Sequence, residues 1–298
     1  MFKMTDYING FCEYLKTAKN SSKNTLESYS RDIRAYLAFL DISSQKPENA
    51  DKKLIEKFLQ QLERQGKTSS TLVRSLASVR SFYQYLVYIG AVESNPTKGI
   101  ALKKAEKKLP EILTQKEIDS LIAQPDITTL RGCRDKAMLE LMYATGLRVT
   151  ELIDLNIEDI NLQVSIIHCR SEKSDRIIPV YRAAVKAVED YLSRVRPVIA
   201  TDKAEKSLFL NLNGDRLTRQ GMWKIIKGYA EEAQIKKTIT PHTIRHSFAA
   251  HLLENGAGIK DIKDMLGHSG ISSTQVYTQI VKEMHESSYK RFHPKAGI

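Results

Sequence analysis

Along the first hundred residues apolar side chains recur three and four apart, and nowhere do they alternate with period two. In "SSKNTLESYSRDIRAYLAFL" the stripe is Leu26, Tyr29, Ile33, Tyr36, Leu37 and Leu40. That spacing sets all six on one face of a helix. Asn24 or Thr25 is the expected N-cap. "GKTSSTLVRSLASVRSFYQYLVYIG" repeats the stripe with Leu72, Leu76, Val79, Tyr83 and Leu86. Its start can be capped from "TSST", and Gly90 can end it. Two more helices fit residues 6–17 and 51–64. Together the four predict a small all-helical domain.

"NPTKGIALKKAEKKLPEILTQKE" then breaks the pattern with Pro96, Gly99, a basic run and Pro110. Such punctuation predicts a domain over residues 1–97, a linker over 98–110 and a second domain over 111–298. The second domain reads as mostly helical. Thr114, with Glu117 three residues on, forms a capping box ahead of an apolar run. "RDKAMLELMYATGLRVTELIDL" is two helices parted at Thr145-Gly146. "VSIIHCRSEKSDRIIPV" is the one clear strand pair, two β-rich runs about a polar turn. Pro241 stands where a helix would begin, which suits its fixed φ. The expected fold is mainly α with a small antiparallel β-sheet.

A 298-residue chain that is 42% hydrophobic can bury a core in each of two domains. No run approaches the roughly 18 apolar residues of a membrane helix, and the N-terminus lacks a signal-peptide pattern. Cys12, Cys133 and Cys169 lie far apart, as reduced thiols of a cytoplasmic protein would. The charge adds a partner. The chain carries +11, and the surplus is uneven. Residues 1–109 hold 19 Lys and Arg against 11 Asp and Glu, and the remainder holds 27 against 24. A basic first third suits a polyanion, with nucleic acid first. The polar faces of the two quoted helices offer Lys23, Thr25, Arg31 and Arg34, then Lys67, Ser70, Arg74 and Arg80, as phosphate contacts.

The densest chemistry lies in "TPHTIRHSFAAHLLENGAGIKDIKDMLGHSGISSTQVYTQI", which holds His242, Arg245, His246, His251, His268 and Tyr277. His242 and Arg245 share a helix face. A guanidinium there repels a metal cation, the glutamate of H-E-x-x-H is missing, and no third ligand stands at metal spacing. The set suits an anion better, through charge-assisted hydrogen bonds. Tyr277 is either core packing or a nucleophile that His and Arg neighbours activate. A phosphodiester is the matching substrate, because arginines stabilise the charge that its transition state gathers.

"ATGLRVTEL", "HTIRHSFAAHLL" and "MLGHSGISSTQVYTQI" resemble, in order and spacing, the three signature boxes of the tyrosine recombinases (phage integrase family). "RFHPKA" at the end is similar to the Xer type. The resemblance implies a SAM-like helical core-binding domain and an α+β catalytic domain, closing as a C-shaped clamp on duplex DNA. It implies that Arg148 and Arg245 clamp the scissile phosphate and that His268 hydrogen-bonds it. His242 then accepts the proton of the nucleophile Tyr277, and Glu151 orients its neighbours. His246 and His251 are not family catalytic positions and read as structural. The family's strand-turn lysine falls on Ser171 here, so Lys173, two residues on, is the expected general acid. No metal or cofactor is implied.

The same resemblance implies a 3′-phosphotyrosyl intermediate and a homo- or hetero-tetramer exchanging strands through a Holliday junction at an inverted-repeat, dif-like site. The C-terminal helix, about residues 282–291, would dock into a neighbouring subunit. A paralogous recombinase and an FtsK-like translocase would be its partners, and the place of work would be the nucleoid in the cytoplasm. Chromosome- or plasmid-dimer resolution is the expected role. Rivals are a mobile-element integrase, a type IB topoisomerase-like relaxer and an inactive DNA-binding protein.

Overall fold

A computed structural model describes residues 4–102, 109–170, 175–202, 205–268, 270 and 274–282. The chain forms two compact units, Met1–Lys107 and Lys108–Ile298.

The first unit is four helices: α1 (Met4–Thr17), α2 (Lys23–Ile42), α3 (Lys52–Arg64) and α4 (Ser69–Tyr88). Each of the last three starts at an oxygen that accepts a backbone N–H, from Ser22, Asp51 and Thr68. Such caps satisfy donors the first helical turn leaves unpaired. Ser22, not Asn24 or Thr25, caps α2: it is still extended and its Oγ accepts from the Thr25 N–H, so the helix begins two or three residues earlier than expected. Phe11, Ile33, Tyr36, Ile55, Val79, Phe82 and Leu86 make the core. Inside it the Tyr36 and Tyr83 hydroxyls lie 2.7 Å apart, and Tyr83 donates to the Pro47 carbonyl. Midway along α2, buried Asp32 accepts from Ser78 and Arg74 of α4. The Asp32–Ser78 and Tyr36–Tyr83 contacts advance together along both helices. Helices α2 and α4 are therefore parallel, and their N-termini share one end of the unit.

The second unit is built on α6 (Leu130–Thr145), whose Ala137, Met138, Leu141 and Met142 are fully buried. Around it lie α5 (Gln115–Ala123), α7 (Val149–Asp154), α8 (Arg182–Asp190), α9 (Arg196–Ile199), α10 (Arg219–Glu232), α11 (Pro241–Glu254), α12 (Ile259–Leu266) and α13 (residues 274–282). The Thr114–Glu117 capping box forms at α5. The sheet has three antiparallel strands in the order β1 (Ile160–Asn161), β2 (Ile166–Cys169) and β3 (Arg176–Pro179). Strands β2 and β3 are the expected pair, with Ile167 opposite Ile178. The two-residue β1 was not expected, since two residues carry no period. No described helix is long and apolar enough to cross a membrane.

Candidate active site

Two glycines aim the chain into the site. Gly146 ends α6 in the left-handed region at φ +58, and a Cβ there would stand 2.3 Å from a Phe248 ring carbon. Only glycine takes that conformation without strain. The reversal puts Arg148 at the N-cap of α7 and brings Glu151 back to its backbone N–H at 2.8 Å. Gly267, at φ +63, ends α12 in the same way and delivers His268.

The C-terminal end of α12 is the anchor of the site. Arg176 Nε donates to the Met265 carbonyl at 2.7 Å, and Arg245 Nη2 to Leu266 at 2.7 Å. Arg148 reaches the Leu266 and Gly267 carbonyls at 3.4 and 3.3 Å. These carbonyls have no helical partner among the described residues and sit at the negative end of the helix dipole, which favours cations. Arg245 also donates to the Gly146 carbonyl at 2.6 Å.

Glu151 neutralises the group. It pairs with Arg148 at 2.9 Å, holds Arg176 through both guanidinium nitrogens at 3.2 and 3.0 Å, and lies 3.8 Å from Arg245. Burial alone would raise its carboxyl, but the Arg176 hydrogen bonds and the Arg148 N–H hold it below the usual range. Arg245 is 3% exposed, and burial beside Arg148 draws it down to about 10, so it stays charged at neutral pH. Sequence reasoning found Arg148, Glu151 and Arg245. It missed Arg176, whose signal was only its place at the head of a strand.

Tyr277 on α13 is 1% exposed among Phe248, Ala249, Ile262 and Leu266. Burial raises its phenol, against Arg245 and Arg148. The His268 ring lies parallel to it, 6.5 Å away, and His268 Nδ1 meets Thr274 Oγ1 at 2.9 Å. Burial and the nearby Arg245 push His268 down to about 4, so it is neutral at pH 7. His242 is exposed at the start of α11 and is lowered by partial burial and Arg245. His246, one turn on, hydrogen-bonds the phenol of Tyr277 at 3.0 Å. The contact the sequence reading gave to His242 thus belongs, in this conformation, to His246. His251 bonds Tyr143 at 2.8 Å and is buried structure. Lys173 lies outside the described residues.

The first unit presents Lys23, Arg31, Lys67, Ser70 and Arg80 at its surface, with Thr25 partly covered. Arg74 is half-buried against Asp32, and Arg80 donates to the Ile100 carbonyl. Both therefore hold protein partners as well as facing solvent. Among the described residues no group of three or more His, Cys, Asp or Glu could hold a metal ion.

Comparisons place this arrangement. The phage integrase family matches residues 111–284, and the phage integrase N-terminal SAM-like domain matches residues 8–89. The chain is 41% identical to tyrosine recombinase XerD of Listeria innocua and 43% identical to that of Oceanobacillus iheyensis, each over 98% of this chain and all of the relative. A crystal structure of the XerH site-specific recombinase, bound to a palindromic difH substrate in a post-cleavage complex, shares the fold with TM-score 0.78. That match runs at 18% identity over 97% of this chain and 84% of the other. With its two matched domains and full-length XerD relatives, the chain belongs to the phage integrase family, the tyrosine recombinases.

Proposed function

We propose that the protein cuts and rejoins duplex DNA at a specific site, with Tyr277 as nucleophile and Arg148 and Arg245 as the phosphate clamp. The observation that carries this reading is the cluster of three arginines around Glu151, drawn together on the carbonyls of α12 beside a tyrosine and two histidines. Each guanidinium has five N–H donors. Those not used on carbonyls and Glu151 can face the non-bridging oxygens of a phosphodiester, whose transition state adds negative charge there. Because the protein already fixes the arginines, little reorganisation is left for the reaction itself.

In the reaction the Tyr277 oxygen bonds to phosphorus and its proton passes to His242, whose imidazole is held below its ordinary value by partial burial and Arg245. The 5′ oxygen leaves and takes a proton from Lys173. His268, with Nδ1 engaged by Thr274, offers Nε2 to the phosphate. The resulting 3′-phosphotyrosine keeps the phosphodiester energy, so a 5′ hydroxyl from a second duplex reseals it by the reverse steps.

The first unit (about residues 1–97) and the catalytic unit (about 111–298) both bind the duplex. Lys23, Thr25, Lys67 and Ser70 lie at the shared N-terminal end of α2 and α4, where helix dipoles favour phosphate; Arg31, Arg74 and Arg80 add charge nearby. The substrate is an inverted-repeat, dif-like site, bridged by four protomers of this chain or of this chain and a paralogue. A C-terminal segment, most of which lies outside the described residues, links neighbours. A groove of about 440 Å³ lined by Tyr143, Val180, Tyr181, Phe248, Leu252 and Met265 gives it an apolar seat. Dimer resolution in the cytoplasm, under an FtsK-like translocase, is the cellular role.

The test is a nicked, self-trapping duplex with inverted repeats in buffer containing EDTA. A covalent adduct on a denaturing gel is expected with the wild type and Lys173→Ala should form it far more slowly. No adduct with Tyr277→Phe is required, and an adduct that survives that change sinks the reading.

A further inference from the structure

Tyr277 has one hydrogen-bond partner among the described residues, and it lies outside the arginine clamp. His246 Nδ1 stands 3.0 Å from the phenol oxygen, with the ring centres 5.6 Å apart. The tyrosine is 1% exposed and enclosed by α11 and α12. Arg148 and Arg245 direct their N–H groups to Glu151 and to the Gly146, Leu266 and Gly267 carbonyls instead. The oxygen that must reach phosphorus is therefore turned toward a helix, under cover.

An imidazole so placed serves either as a base or as a tether. Burial, with His242 and Arg245 close by, pushes His246 down to about 4, while burial raises the phenol. Proton transfer works best when the two groups are matched near working pH, and these are driven apart. A hydrogen bond between two neutral groups, however, is stable without transfer. His242, one turn earlier and exposed, is free of this contact and open to the substrate.

We infer that His246 is a positioning residue for the nucleophile: its Nδ1 tethers Tyr277 in the covered position, and cleavage requires this bond to break. The inference rests on the reading of Tyr277 as nucleophile. The tether lowers the rate of attack by the fraction of molecules in which the phenol is free, as for any reaction through a minor conformer.

His246→Leu removes the acceptor and leaves the phenol O–H buried without a partner, which favours its exit to water. His246→Asn keeps a polar group near the Nδ1 position. His246→Ala is the second acceptor-free variant should leucine not fit. In each full-length chain, 3-fluorotyrosine at position 277 is followed by 19F relaxation with a soluble nitroxide, without DNA. Adduct formation is then timed on the nicked duplex with the unlabelled proteins.

The acceptor-free variants should expose the fluorine to the nitroxide. They should form adduct roughly threefold to tenfold faster, the factor one buried neutral hydrogen bond supplies. His246→Asn should stay near wild type in both readouts. Unchanged 19F exposure in the acceptor-free variants overturns the tether. So does slower adduct formation in those variants, rescued by asparagine, which would make His246 an aid to attack. If the wild type forms no adduct, the nucleophile reading fails separately, while the 19F comparison still decides whether His246 holds Tyr277.

Discussion

Glu151→Gln removes the one carboxylate, among the described residues, that faces Arg148, Arg176 and Arg245. Arg176 and Arg245 side chains are only 7% and 4% exposed, so neither can turn to water. Removing one member of a buried ion pair costs about 3–5 kcal/mol. Two features reduce that here: Arg148 is 39% exposed, and glutamine keeps one accepting oxygen. The expected loss is about 3 kcal/mol, roughly a hundredfold in the folding equilibrium. The single tryptophan, Trp223, lies on α10, so its fluorescence follows the catalytic unit during urea unfolding. With an m-value of about 2 kcal/mol/M, the midpoint should fall by about 1.5 M at unchanged slope. The pH dependence gives a second check. The folded-state pKa of Glu151 is depressed, so its contribution is complete above the ordinary value of 4.5 and is lost as pH falls through the folded value. The gap between wild type and variant should therefore narrow as the pH falls below 4.5. A loss under about 0.5 kcal/mol, typical of an exposed ion pair, or a gap that persists in acid, would refute the argument.

Other predictions follow from single contacts. Gly146→Ala meets Phe248 at 2.3 Å in a left-handed backbone and should cost at least about 2 kcal/mol in the same urea assay, with adduct formation abolished. Arg245→Lys loses the carbonyl-anchored fork; it should slow adduct formation at least roughly a hundredfold while gel-shift affinity changes only a few-fold. Tyr83→Phe strands the Pro47 carbonyl and the Tyr36 hydroxyl, and should destabilise the first unit by about 1–2 kcal/mol by circular dichroism without slowing cleavage of bound DNA. His246 and His268 are depressed to about 4 from 6.5, so the unfolded chain binds more protons between those values. Their contribution to stability is present above pH 6.5 and should decline from there to about pH 4, read as a falling urea midpoint.

Helices were legible because their apolar periods and caps are local: the stripe from Leu26 to Leu40 and the Thr114–Glu117 box need no knowledge of the fold. The three boxes likewise gave Arg148, Arg245, His268 and Tyr277 as a set, and the fold brings them together around α12. What the chain hid depends on distant partners. Arg74 looked like a free phosphate ligand, but Asp32 lies 42 residues away and only the parallel packing of α2 and α4 joins them. Arg176 closes on Glu151 across 25 residues. His246 looked structural beside His242; which of the two faces Tyr277, 31 residues on, is decided by how α13 packs on α11.

The most direct test of the central claim is mass spectrometry of the trapped adduct after nuclease trimming and trypsin digestion. The linkage should map to the peptide from residue 264 to residue 282, as a 3′-phosphonucleotide on the oxygen of Tyr277. That peptide also holds Ser269, Ser272, Ser273, Thr274 and Thr278. A nucleotide on any of these, or one joined through its 5′ end, would contradict the account.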